Sequence, residues 1–282
     1  MTPEPRKNDG ARVVIHRDAP AWNGRRCAAI GGFRCDRAEA GAALLEAIAR
    51  DLAAEGVRAL IGPMEGDTWH SYRLVTESDG TAPFLMEPTS APQDLAAFEA
   101  AGFAPVSRYF SARAGVADAL AAAPPQDASL VIRPWDGADP EAHFARVHEL
   151  STRAFAGNPF YRPIGLDPFL ALYMPFVPML RPDLILMAED AATGTLQGFL
   201  FGIPNYQEGP GTRSVILKTY ASLRPGAGHA LAHAFHLAAQ AAGFGTVIHA
   251  LIHDDNRSAE RSRRHGAAVF RRYALMGRML DG

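Results

Sequence analysis

Two hydrophobic periods divide this chain. Residues 12–16 and 25–33 read as strands, with Asn23-Gly24 between them as a hairpin turn. Residues 38–55 read as a strong helix: Leu44, Leu45, Ile48 and Leu52 fall near helical spacing, and Gly56 stops it. A short buried strand at 57–61 closes on Gly62-Pro63. A long polar loop over 65–82 carries Trp69, His70, Tyr72 and Arg73, and a short strand follows at 84–86. A helix over 92–101 ends at Gly102, and a strand covers 103–112. Residues 1–10 have neither period and are expected to be a disordered lead-in.

Residues 114–129, with their alanines and Pro124-Pro125, read as a helix tail and linker. A strand restarts at 130–133, and a helix over 140–155 puts Phe144, Val147, His148, Ser151 and Phe155 on one face. An aromatic loop (158–165) and a proline-interrupted helix (167–179) come next, then a hairpin of 184–188 with 196–203. In the strand 215–220, Val215, Leu217 and Thr219 alternate with Ile216, Lys218 and Tyr220. It runs into Leu223-Arg224-Pro225-Gly226-Ala227-Gly228, where an alanine-rich helix opens. A strand (246–252), a polar helix (256–265) and a last strand (269–279) complete the chain.

The glycine turn carries the chemistry. A strand, a glycine turn and a helix start offer free backbone N–H groups and a positive dipole end to an anion. Gly226 and Gly228 let a phosphate approach the backbone with no Cβ in the way.

The chain also repeats itself imperfectly. In each half an alanine-rich helix ends in a glycine (Gly56, Gly243), and a strand follows. A second helix then ends in Gly102 or Gly266, with Arg108-Tyr109 or Arg272-Tyr273 six and seven residues later. Two half-similar domains follow from this.

The element order from 130 to 280 resembles the GNAT N-acetyltransferase fold, and Gly226 and Gly228 match the glycines of that family's pyrophosphate turn. Leu223 stands in the signature's first slot, with Arg224 one place later. The first half is similar to the degenerate half of bacterial two-halved GNAT-like proteins, on Gly31-Gly32-Phe33, Ile61-Gly62-Pro63-Met64 and Ala101-Gly102-Phe103. The resemblance implies an α/β (α+β) protein of two GNAT-like halves. Each would be a mixed, mostly antiparallel sheet flanked by helices, the first truncated. The segments would be a degenerate half at 1–113, a linker at 114–129 and an acyltransferase half at 130–282.

It implies acetyl-coenzyme A as cofactor, bound by Ala221, Ser222, Leu223, Arg224, Gly226, Ala227, Gly228, His229 and Asn256. A backbone N–H near residues 221–223 would stabilise the oxyanion. The family's general-acid tyrosine falls on Ser262, a poorer acid, so Tyr220 is the substitute candidate. His253 and then Glu189, both at predicted strand ends, are the candidate bases. In the first half, Asp36 and Glu39 occupy the phosphate position and would repel a pyrophosphate, so that half is expected not to bind the cofactor.

His229, His233 and His236 have a spacing that could hold zinc, but they project away from the stripe of Leu231, Phe235, Ala238 and Ala242. A solvated face and no metal are expected. Arg257, Arg261 and Arg264 share a helix face, either a solvated one or a site for an acidic group. The aromatics of Asn158-Pro159-Phe160-Tyr161-Arg162-Pro163 either line an acceptor pocket or pack the loop down.

The net charge of −2 gives no bias toward nucleic acid or acidic membranes. Cys27 and Cys35 make neither a disulfide framework nor a zinc pattern, and no apolar run reaches the length of a spanning helix. The first twenty residues lack a signal-peptide pattern, so a soluble cytoplasmic protein is expected, with a homodimer compatible. Two functions stay open: an N-acyltransferase acting on a small-molecule or peptide amine, and a catalytically silent GNAT-like acyl-coenzyme A binding or sensor protein.

Overall fold

The computed structural model describes residues 2–120, 123–124, 127–256, 259–260, 262 and 266–280. The chain forms two compact units: Met1–Tyr109, Asn158–Arg162 and Arg271–Gly282 make the first, Phe110–Gly157 and Pro163–Phe270 the second. The strands are β1 (Glu4–Asn8), β2 (Ala11–His16), β3 (Cys27–Cys35), β4 (Ala59–Gly62), β5 (Leu74–Ser78), β6 (Ala104–Gly115), β7 (Leu130–Pro134), β8 (Ile185–Asp190), β9 (Leu196–Pro204), β10 (Ser214–Ser222), β11 (Thr246–His253) and β12 (Ala268–Met279). The helices are α1 (Ala38–Ala54), α2 (Pro92–Ala100), α3 (Val116–Ala119), α4 (Pro140–Ala154), α5 (Leu166–Tyr173) and α6 (Ala227–Ala241). None among the described residues is long and apolar enough to cross a membrane.

In the first unit the strand order is β1-β2-β3-β4-β12, with β5 also on β12. Only β3 and β4 run parallel, from Cys27↔Ala59 to Ala29↔Ile61. The core holds Ile15, Phe33, Leu45, Ile48, Leu52, Leu60 and Phe98, joined by Ala274 and Met276 of β12. The units thus divide the chain differently from the segments read along the sequence. The last strand pairs antiparallel with β4, from Met276↔Gly62 to Met279↔Ala59, because its apolar residues complete that core.

Residues 4–8, expected to be disordered, form β1 on the edge of β2. Backbone pairing and the Glu4–Arg17 ion pair hold this polar strand, and neither leaves a hydrophobic pattern. β5 lies inside the expected polar loop, and 84–86 form a turn rather than a strand. The hairpin turn is present, with Asn23 and Gly24 both at positive φ (51° and 73°) inside the Trp22↔Arg25 bridge. Cys27 and Cys35 are buried free thiols. Burial pushes both up, Cys35 to about 11 with a contribution from Asp94, so neither is a reactive nucleophile.

In the second unit the order is β11-β10-β9-β8-β7. β10 and β11 are parallel and the other pairs antiparallel. One face carries α6, whose Leu231 and Phe235 pack on Leu200, Val215, Leu217 and Val247. The approach is close: a Cβ at Gly202 would stand 2.1 Å from the Phe235 ring, and one at Gly198 3.0 Å from Leu231. The expected helix over 167–179 is α5 followed by a 3-10 turn, Met174–Met179, because Pro175 and Pro178 cannot donate to an α ladder. Ala259, Glu260 and Ser262 of the expected polar helix are helical, while Arg257, Arg261, Arg263 and Arg264 lie outside the described residues.

The matched positions of the repeat share backbone and burial states. Gly56, Gly102, Gly243 and Gly266 all take positive φ, and Tyr109 and Tyr273 are both buried.

A buried ion pair ties the loop before α2 to β12. Arg271 Nη1 meets Glu87 Oε2 at 2.5 Å, with both side chains at most 4% exposed. The Tyr273 hydroxyl donates to the other Glu87 oxygen, and the Phe84 N–H donates to Oε2 at 2.9 Å. Truncation strands a buried cation, so Glu87→Ala is expected to cost about 3–5 kcal/mol in urea unfolding. A loss below about 1 kcal/mol would show that water replaces the carboxylate without cost.

Candidate functional site

The site is built where β10 and β11 part. Their parallel register runs from Ser214↔Thr246 to Leu217↔His249 and stops, although β10 continues to Ser222 and β11 to His253. A register shift between Leu217 and Thr219, around Lys218, marks the same point on the β9 side. Beyond it β10 keeps its pairing to β9 as far as Ser222↔Gly198. β11 bends away, with Leu251 at φ 56° and its N–H donating to Ser111 Oγ at 3.1 Å.

At the top of β10, Leu223 N–H donates to Gln197 O at 2.9 Å, and the chain turns into α6. Gly226, the residue before α6, has φ 87° and nothing within 4 Å of the position a Cβ would take. Glycine is therefore required for conformation, and the space around it is open. Within the turn, Ala227 N–H donates to Arg224 O (3.3 Å) and His229 N–H to Gly226 O (2.9 Å). Among the described residues the N–H groups of Gly226 and Gly228 have no protein acceptor. They lie at the N-cap and in the first turn of a 15-residue helix, at its positive end.

The Arg224 guanidinium points elsewhere. It bonds Asp127 (2.7 Å) and Ser129 Oγ (2.5 Å) and lies 3.6 Å from Asp190. Both carboxyls are held below their ordinary values, Asp127 first by Ser129 and Asp190 first by the Thr193 backbone.

The candidate catalytic groups are not gathered together. Tyr220 pairs with Leu200 and packs against the apolar cluster under α6. Ala221 is buried, and Ser222 and Leu223 are half-buried. His253, half-buried at the end of β11, accepts from Asp255 N–H at 3.1 Å. Asn256 is exposed and turns the chain back by donating its N–H to His253 O at 3.0 Å. Glu189 is paired with Arg146 at 2.6 Å, on a strand separated from β10 by β9.

Ser262 is 3% exposed and lies 2.9 Å from His249 Nδ1, and His249 Nε2 lies 3.2 Å from His236 Nε2. His249 is the last paired residue before the strands part. The Nε2–Nε2 hydrogen bond holds one proton, so its position decides whether His249 donates to or accepts from Ser262.

Sequence reasoning missed this chain and misplaced His236, which is fully buried rather than solvated. The buried arc of α6 is Gly228, Leu231, Ala232, Phe235, His236 and Ala239, which puts His236 four residues after Ala232. Taking Ala238 and Ala242 as the stripe rotated the face. His229 and His233 are half-buried, and among the described residues no three ligand side chains converge on a metal site.

The sheet face opposite α6 is aromatic. His143 stacks on Trp135 at 4.7 Å and meets Phe144 and Phe201 edge-on. Phe144 stacks on Tyr173. Burial pushes His143 down to about 4, and Arg146 adds to the shift. In the first unit Trp69 Nε1 donates to Arg162 O at 2.8 Å, and Phe160 packs on Ile61, Met64 and Leu275. Loop 158–163 is thus packed down through Phe160.

In the first unit three backbone donors ahead of the α1 start are occupied. Asp36 N–H donates to Gly10 O (2.8 Å), Cys35 N–H to Asp94 (3.1 Å) and Gly32 N–H to Glu65 (2.5 Å).

No protein-family model and no curated protein matches this sequence. Solved structures do match its fold along nearly the whole chain. One is a GCN5-related N-acetyltransferase from Sphaerobacter thermophilus, at 14% identity and TM-score 0.58, with 97% of this chain and 78% of that one covered. Another is a tandem GNAT protein from the clavulanic acid biosynthesis pathway, at 16% identity and TM-score 0.56, with 97% and 80% covered. A third is a GCN5-related N-acetyltransferase from Anabaena variabilis, at 13% identity and TM-score 0.56, with 98% and 62% covered.

The chain has a tandem GNAT fold. In this chain β10 and β11 are the strands that part, and Gly226 and Gly228 stand at the start of the helix that follows β10.

His143 gives the site a pH signature. An unfolded histidine takes up a proton near 6.5, and the folded one does so near 4. Below about pH 6.5 the unfolded chain binds a proton that the folded chain refuses. Stability should therefore fall between pH 6.5 and 4 by up to about 3 kcal/mol and level off below. His143→Phe should remove that part of the slope in urea melts at pH 4.5 and 7. An unchanged slope would assign the acid sensitivity to other groups.

Proposed function

We propose that this protein is an acetyl-coenzyme A dependent N-acyltransferase acting on a primary amine of a small molecule or peptide. One observation carries the reading: β10 and β11 part beside a glycine turn whose Gly226 and Gly228 N–H groups have no protein acceptor among the described residues. The turn fits a pyrophosphate on its own geometry, with positive φ, no atom near a Cβ at Gly226, and the positive end of α6.

Bound acetyl-coenzyme A supplies an acyl group activated as a thioester. The chain's own residues do the rest. The Gly226 and Gly228 N–H groups hold phosphate oxygens. The edge of β10 from Lys218 to Ser222, which β11 has left, offers backbone groups to an extended pantetheine chain. A backbone N–H near residues 221–223 is the oxyanion donor. Ser262 holds a proton at Oγ beside His249 and is the donor toward a departing thiolate. His253 is the base that takes the amine's proton. On this reading Tyr220 and Glu189 are structural, one packed under α6 and the other paired with Arg146. We extend the reading to a cytoplasmic bacterial enzyme, monomeric or homodimeric, with no nucleic-acid or membrane partner.

A second reading, a silent acyl-coenzyme A binding or sensor protein, is favoured by that same engagement of Tyr220 and Glu189. A calorimetric titration with acetyl-coenzyme A and a thiol-release screen over amines separate the two. Binding with turnover supports the enzyme, and binding without turnover on any amine supports the silent protein.

Gly226→Asp places a carboxylate at φ 87° where two phosphates would sit. Losing one charge-assisted backbone hydrogen bond costs about 1.5–3 kcal/mol, and tenfold needs only about 1.4. Affinity for acetyl-coenzyme A should fall at least tenfold, with folding checked by circular dichroism. Asp36→Ala, in the first unit's turn, should leave it unchanged. A folded Gly226→Asp protein that binds like the parent would make the turn structural and remove the main support for acyl transfer.

A further inference from the structure

Arg73 of the first unit is a buried cation without a counter-charge. It is 9% exposed, and its guanidinium lies between the rings of Tyr72 and Tyr109, 3.8 and 3.9 Å from their centroids. Nη2 donates to the Tyr72 hydroxyl, and Nε is buried with no hydrogen-bond partner. Among the described residues no carboxylate forms an ion pair with it. The backbone is strained at the same residue: Arg73 has φ 95°, held by its N–H donating to Pro63 O at 3.0 Å. The walls around Tyr72 are apolar, formed by Ile61, Met64, Leu275 and Phe160.

Two aromatic faces attract a cation but do not neutralise it, and an uncompensated charge in an apolar setting is strongly unfavourable. Contrast Arg271 in the same unit, equally buried, which meets Glu87 at 2.5 Å. A strained backbone, a buried Nε donor without an acceptor among the described residues and a stacked guanidinium come together at Arg73. One fixed positive charge balances a monoanion, whereas a phosphate dianion would leave negative charge among the rings.

We propose that Arg73 is the binding group for the carboxylate of a small organic acid whose apolar body lies against the surrounding aromatic and aliphatic side chains. The site belongs to the first unit and does not depend on the acyl-transfer reading.

The test uses the full chain, titrated calorimetrically with acetate, benzoate, phenylacetate and succinate, against benzamide as the neutral analogue and inorganic phosphate. Chloride keeps ionic strength constant. Saturable binding of at least one carboxylate but not of benzamide is expected. Arg73→Met should weaken it at least tenfold. Arg73→Lys, which keeps the charge but loses the planar fork, should weaken it less. Should Arg73→Met fail to fold, Arg73→Lys and the parent titrations still decide. The proposal is overturned by no saturable binding of any of the four acids, by equal binding of benzamide, by binding of phosphate alone, or by unchanged affinity in a folded Arg73→Met protein.

Discussion

A strand that leaves its neighbour exposes a row of N–H and C=O groups, and the second unit is arranged around such a departure. β10 and β11 are held together only from Ser214↔Thr246 to Leu217↔His249. Past that point β10 depends on β9 alone, and the register shift around Lys218 lets it follow β9 without carrying β11 along. β11 is secured separately, by Leu251 at positive φ and its bond to Ser111. α6 can cover the parting strands because Gly198 and Gly202 leave room for Leu231 and Phe235. The opening is thus a product of the packing around it, and it lies beside the glycine turn.

The first unit contains the same arrangement and closes it from within. β3 and β4 are also parallel for three residue pairs, and from Ile30 to Cys35 β3 continues beyond β4, paired with β2. There the protein supplies its own acceptors: Glu65 takes the N–H of Gly32, Asp94 that of Cys35, and Gly10 that of Asp36. The sequence signal was the repulsion expected from Asp36 and Glu39. The structure adds that the N–H groups of Gly32, Cys35 and Asp36, ahead of α1, are satisfied within the chain.

What was legible in the sequence follows from what depends on local chemistry. The glycine turn, the hairpin at Asn23-Gly24 and the helix stops at Gly56, Gly102, Gly243 and Gly266 were readable because each requires positive φ. The α1 stripe was readable because Leu44, Leu45, Ile48 and Leu52 all face the core. β1 was not readable, since a polar edge strand held by backbone pairing has no hydrophobic period. The pairing of β12 with β4 was not readable either, because partner choice for a buried strand is a long-range matter. The buried relay from Ser262 to His236 escaped because small alanines hide the phase of α6: shifting the stripe by one residue turns His236 from solvent to core.

Arg224 shows how the turn divides its tasks. It stands beside the family's first signature slot, where a basic side chain would be expected to meet a phosphate. Its guanidinium is instead shared by Asp127 and Asp190 and bonded to Ser129, so its charge is already answered. Half-exposed ion pairs contribute little stability individually. Their consequence here is geometric. Asp127 and Ser129 precede β7, Asp190 ends β8, and Arg224 fixes the glycine turn to both. Attraction for an anion then falls to the backbone, to the N–H groups of Gly226 and Gly228 and the dipole of α6.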